Sequence, residues 1–183
     1  MLPSPPPWWR TACCRCQATH KRHKHAAWPR ALNCWKASER LRVLATVWVD
    51  LGGIAKGYAV DCAAAALQSQ GMGSGLVNAG GDMCAFGPHS HPVHLRFADG
   101  FRAVAELRDG ALASSCNAAC GTAAASPHIE PRSGRAVLSR RSVVVQARSA
   151  AVADALTKVA MLRPATADRM CAALRAQWRA FEH

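Results

Sequence analysis

Hydrophobic and polar positions fall into a regular order only from Arg42 onward. Val43 to Val49 reads as an apolar strand that runs into the glycine loop Asp50-Leu51-Gly52-Gly53. Ala55 to Gln70 reads as a helix ending at Gly71, and its Ala63 to Ala66 run is small enough for close packing. Gly75 to Val77 is a short strand, Asn78-Ala79-Gly80-Gly81-Asp82 a second glycine loop, and Met83 to Phe86 a strand closed by Gly87-Pro88, a hairpin-like turn through glycine. His94 to Phe97 and Arg102 to Leu107 flank Ala98-Asp99-Gly100, a hairpin signal, and Asp109-Gly110 leads into Ala111 to Ser115. Pro127 to Gly134 is a proline-bounded turn, and Ser142 to Ala147 is the last strand. Two helices close the chain, Ser149 to Leu162 and Ala165 to about Phe181, divided by Pro164. Strands therefore dominate the middle of the chain, with one helix before them and two after.

Half of the 183 residues are hydrophobic, enough for one substantial core. The formal charge of +12 suggests nucleic acid or an anionic surface, but its distribution weakens that reading. Residues 1–42 hold nine of the 23 Lys and Arg and one of the 11 acids, so +8 lies in the first quarter. They also hold four of the six Trp and four of the nine Cys, without a hydrophobic period for a helix or strand. A zinc site drawn from Cys13, Cys14, Cys16, His20, His23, His25 and Cys34 lacks finger spacing. Residues 1–41 are therefore set apart as a basic segment, a poorly ordered leader or sequence foreign to the domain, and 42–183 as the globular domain. No apolar core of a secretory signal follows Arg10, and no stretch is long enough to span a bilayer. A nucleic-acid partner is not expected, although a basic binding arm remains the alternative for the first 42 residues.

Lys56 lies in the first helical turn after Gly52-Gly53, where free N–H groups favour phosphate. The sequence is neither a dinucleotide fingerprint nor a Walker loop, and many such corners bind nothing. The Asn78-to-Asp82 loop offers a second face for the same ligand. His128 is a general base or the cap of its turn. Asp154 is a magnesium carboxylate or a helix-dipole partner, with Thr157 and Lys158 one turn later. Cys62, Cys84, Cys116, Cys120 and Cys171 read as small buried thiols, although Cys116 and Cys120 could pair across a cleft. A triad of Ser115, His128 and Asp154 has no nucleophile elbow to position it.

DLGGIAKGYAVD, LVNAGGDM, ALASSC, HIEPRSG, SVVVQA and ADALTKVAML, in this order over about Arg42 to Leu162, resemble the ApbE family of FAD:protein FMN transferases. The resemblance implies an α+β fold, a mixed or antiparallel sheet with packed helices, that binds FAD and magnesium and moves FMN from FAD to a Thr or Ser hydroxyl of a target flavoprotein. It implies flavin-nucleotide contacts for Asp50, Lys56, Asn78, Gly80, Gly81, Asp82 and Ile129. Magnesium would be held by the Gly53 carbonyl, Asp154 and Thr157, and His128 would be the base. It further implies a periplasmic or inner-membrane setting. Three departures stand out. Family chains carry a larger N-terminal portion that supplies part of the flavin pocket, HIEPRSG is one residue short with Glu130 in place of Asp, and Lys158 occupies the usual metal-threonine position. A lysine there repels magnesium or replaces part of its charge. The reading is an FMN transferase domain that is an incomplete copy, against the alternative of a non-catalytic flavin- or nucleotide-binding remnant.

Overall fold

The computed structural model describes residues 32–35, 40–45, 50–97, 100–116, 128–130, 135–137 and 141–182. Two compact units divide at Val49 and Asp50. In the first, β1 (Leu32–Trp35) and β2 (Arg40–Val43) form an antiparallel pair with Leu32 opposite Val43 and Trp35 opposite Arg40. The sequence pattern gave no strand before Arg42, because four-residue strands are too short to display a period. The strand expected over Val43 to Val49 instead ends at Val43. Leu44 and Ala45 are not in a strand, and 46–49 lie outside the described residues, as do the cysteines and histidines upstream of Leu32.

The second unit is a five-stranded sheet, every pair antiparallel, in the order β3 (Gly75–Ala79), β4 (Asp82–Phe86), β7 (Gly110–Cys116), β8 (Arg141–Ala147), β9 (Gln177–Glu182). The pair β5 (His91–Phe97) and β6 (Gly100–Leu107) covers one face. The helices α1 (Ala55–Ser69), α2 (Ala150–Leu162) and α3 (Pro164–Leu174) lie on the other. Alternation sorts the residues. Ala113, Val143 and Val145 meet Ala153, Leu156 and Ala160 of α2, whereas Leu112 and Val144 meet Val93 and Leu107 of the β5–β6 pair. With both faces covered, β7 and β8 read as nearly continuous apolar runs.

The C-terminal helix is shorter than its pattern suggested. It stops at Leu174, Arg175 takes a left-handed φ of 53°, and Gln177 to Glu182 pair with β8 as an edge strand. Trp178 then packs on the helix side and Phe181 on the hairpin side. A spacing of three puts two residues on opposite faces of a strand but on one face of a helix, so the same two aromatics mimic a helical stripe. The Trp178 indole N–H donates to Asp168 Oδ1 of α3 at 2.8 Å and ties strand to helix.

α1 buries Gly57, Val60 and Ala64, with Val60 on the sheet, so of the alanine run only Ala64 packs inward while Ala63, Ala65 and Ala66 are exposed. Gly57 sets the approach instead. A Cβ there would stand 2.2 Å from the Ala150 carbonyl oxygen, a backbone atom that cannot swing aside. Asp61, one turn later, accepts from the N–H groups of Ala150 and Ala151 at 2.7 and 2.9 Å and, with Ser149 Oγ, caps α2. Gly57→Ala is expected to lower stability by about 1–3 kcal/mol, the range for forced overpacking, read as an earlier urea midpoint. An unchanged midpoint would mean that α1 and α2 are not this close.

Candidate functional site

The polar groups converge at one end of the sheet on its helix face. The Asn78-to-Asp82 segment, expected as a hairpin-like turn and as a ligand loop, is a two-residue hairpin between β3 and β4. Gly80 and Gly81 have φ of 65° and 99°, the double positive φ that lets a two-residue turn match strand twist. Asn78 Oδ1 accepts the Gly81 N–H at 3.1 Å, so Asn78 braces the turn. The turn delivers Asp82 as the first residue of β4, on the same face as Cys84 and fully buried.

Asp82 Oδ2 accepts from Lys56 Nζ at 2.5 Å, while Oδ1 is buried with no partner among the described residues. Burial holds the Asp82 carboxyl above the ordinary carboxylate range, the Lys56 hydrogen bond draws it back, and the charge of Asp154 raises it again. Asp154, the second fully buried carboxylate, accepts the Gly57 N–H on Oδ2 at 3.3 Å and the Lys158 ammonium on Oδ1. It lies one turn inside α2, where Ser149 and Asp61 do the capping, so the expected dipole-partner role is not its own. The helix-N-terminal phosphate site expected at α1 is partly spent on the protein itself, since the Gly57 N–H goes to Asp154 and that of Ala55 to Leu51 O.

Thr157 is buried. Its hydroxyl donates to the Asp154 carbonyl at 2.7 Å and contacts Ser115 Oγ at 2.8 Å, which makes Ser115 the donor of that second bond. Ser115 is thereby committed to Thr157, which argues against its service as a nucleophile. His128 is buried at the start of a small antiparallel bridge, Ile129 opposite Ala136, with the Val137 N–H donating to His128 O at 2.8 Å. Burial pushes its imidazole below the ordinary 6.5, and the positive charge of Lys158 pushes the same way. Ile129 is exposed, and Glu130 takes a 2.6 Å bond from Arg163 Nη2 at the α2–α3 junction, which anchors the His128 segment.

Gly53 lies under the Lys158 stem, whose carbons are 3.6–3.8 Å from where a Gly53 Cβ would be. Asp50 is exposed and accepts the Gly52 N–H at 2.7 Å, closing its own loop. The structure therefore brings Gly53, Asp154, Asp82 and His128 near Lys158, with Lys56 on Asp82 and Thr157 turned to Ser115, and leaves Asp50, Asn78, Gly80 and Ile129 as exposed turn or bridge residues. Asp61 and Ser115 are structural partners that residue-by-residue reading did not assign. The signal for Asp61 was its spacing of four from Gly57.

Among the cysteines, Cys171 is buried, Cys84 and Cys116 are half-buried and Cys62 is exposed, so the buried-thiol reading holds for one of these four; Cys120 lies outside the described residues. No group of three or more His, Cys, Asp or Glu among the described residues could hold a metal ion. The donors expected for magnesium do not fit a divalent ion as they stand, because the Lys158 ammonium, a like charge, sits on Asp154 Oδ1, the Gly57 N–H shares Oδ2, and the Thr157 hydroxyl is turned to Asp154 O and Ser115. Among the described residues no helix is long and apolar enough to cross a membrane.

The fold is an α+β domain that sets two buried carboxylates, two lysines and a histidine together at one end of its sheet. The ApbE family model matches residues 15–181, and the chain belongs to the ApbE family. A mutant form of the flavin transferase ApbE from Vibrio cholerae is similar at 24% identity and a TM-score of 0.69, over 83% of this chain and 52% of that one. The ApbE protein from Thermotoga maritima is similar at 25% identity and a TM-score of 0.68, over 87% and 58%. The apo flavinyl transferase ApbE of Pseudomonas stutzeri follows at 25% and 0.61, over 72% and 43%. The chain thus spans about half the length of these solved relatives. No curated protein matches it.

Proposed function

We propose that this domain is the catalytic part of an FAD:protein FMN transferase. The observation that carries the reading is the placement of Lys56, Lys158 and His128 around the buried Asp82–Asp154 pair, in a chain of the ApbE family. In the reaction, the hydroxyl oxygen of a Thr or Ser on a target flavoprotein bonds to the FMN phosphorus, the phosphoanhydride P–O bond breaks, and AMP leaves. Phosphoryl transfer needs positioning and charge neutralisation rather than covalent help from the protein. Lys56, half-exposed beside Asp82, and Lys158 supply positive charge toward the diphosphate. A neutral His128 accepts the acceptor's proton. Magnesium, implied by the resemblance, has no step in this account because the donor set does not fit it.

The test is incubation of the 183-residue chain with FAD and a flavoprotein bearing an acceptor Thr or Ser. The expected result is AMP release together with a covalently fluorescent target whose mass rises by one FMN. FAD binding without AMP release would establish the non-catalytic flavin-binding remnant instead.

A further inference from the structure

The Lys158 side chain reaches Asp154 across the surface of Gly53, so one residue spans the positions expected to surround a metal ion, and it brings its own positive charge. Its ammonium bonds Asp154 Oδ1 while Gly57 N–H holds Oδ2. Thr157, the remaining expected ligand, faces away toward Ser115. We propose that the Lys158 ammonium is the resident cation of this centre: it neutralises Asp154 in place of a divalent ion, and a diphosphate-bearing ligand binds here without metal. For a divalent ion to enter, it would have to strip the ammonium from a fully buried carboxylate and then sit a few ångströms from the displaced positive charge. The tethered cation needs no capture from solution and no chelator removes it.

The identity of the ligand rests on the flavin-nucleotide reading above; the cation assignment does not. Titration of the full chain with Mn²⁺, followed by electron paramagnetic resonance, is expected to show no saturable site in the millimolar range. Lys158→Thr is expected to gain Mn²⁺ affinity by about 10- to 10³-fold, the effect of removing a like charge at contact distance. Adding Asp154→Asn to that variant should abolish the gain. A one-to-one Mn²⁺ site in the wild-type chain that Asp154→Asn removes would overturn the proposal, and this comparison stands even where Lys158→Thr fails to fold. FAD affinity, followed by flavin fluorescence, is expected to be equal in chelator and in excess Mg²⁺, and a requirement for Mg²⁺ would also overturn it. Failure to bind FAD under either condition would count against the flavin reading, and the Mn²⁺ titration would still decide the cation assignment.

Discussion

His128→Asn is expected to lower the FMN transfer rate by about 10²- to 10⁴-fold while leaving FAD affinity nearly unchanged, the span associated with a positioned general base. Deprotonating the acceptor matters only in the chemical step, so its loss appears in kcat and not in binding. The imidazole is buried and faces the positive field of Lys158, and both hold its pKa below 6.5. The acid limb of the transfer rate should therefore fall at a pH below the ordinary histidine value, and His128→Asn should remove that limb. A stability effect goes with it. The unfolded chain takes up a proton that the folded chain refuses, so His128 costs stability as pH falls through about 6.5, levelling off below the folded value. An acid limb unchanged in the variant would take His128 out of the reaction.

Asp154→Ala is expected to destabilise the fold by about 3 kcal/mol, because removing one partner of a buried ion pair strands the other. The low end of the usual range applies, since the Lys158 side chain keeps 26% of its surface exposed and can turn partly to water. The Gly57 N–H would lose its acceptor as well. For a chain of this size the loss corresponds to a fall of about 6–12 °C in Tm. The double variant Asp154→Ala, Lys158→Met removes both charges and should recover most of it. A single variant that melts with the wild type would show that the pair is solvated, contrary to the full burial of Asp154.

These two variants separate the roles of the centre. Asp154 organises it, joining the first turn of α1 to α2 through the Gly57 N–H and pairing with Lys158 one turn along its own helix. In the proposed reaction His128 takes the acceptor's proton. Asp82 keeps one buried oxygen without a partner among the described residues, a position open to a donor from a ligand.

The linear pattern was sufficient for the elements from Ala55 to Leu162, since helix and strand periods, turn glycines and the Ser149 and Pro164 boundaries are local properties of the chain. It also located the motif residues that meet at the sheet end. It misassigned Gln177 to Glu182, where Trp178 and Phe181 suit a helical stripe and the deciding factor is the open edge of β8. It read Asn78 to Asp82 as a hairpin-like glycine turn, which the structure has, but as a five-residue loop where Asn78, Ala79 and Asp82 belong to the flanking strands. Only the tertiary structure decided which charges share a site. Lys56 and Asp82 are 26 positions apart and Gly57 and Asp154 are 97 apart. Asp154 and Lys158, by contrast, are four apart on one face of α2 and pair within that helix, and tertiary structure adds only Gly53 beneath the lysine stem. Periodicity reports which face of an element is buried, whereas the pairing of buried charges depends on which elements pack together, and that is set by the shape of Gly57 against the Ala150 backbone.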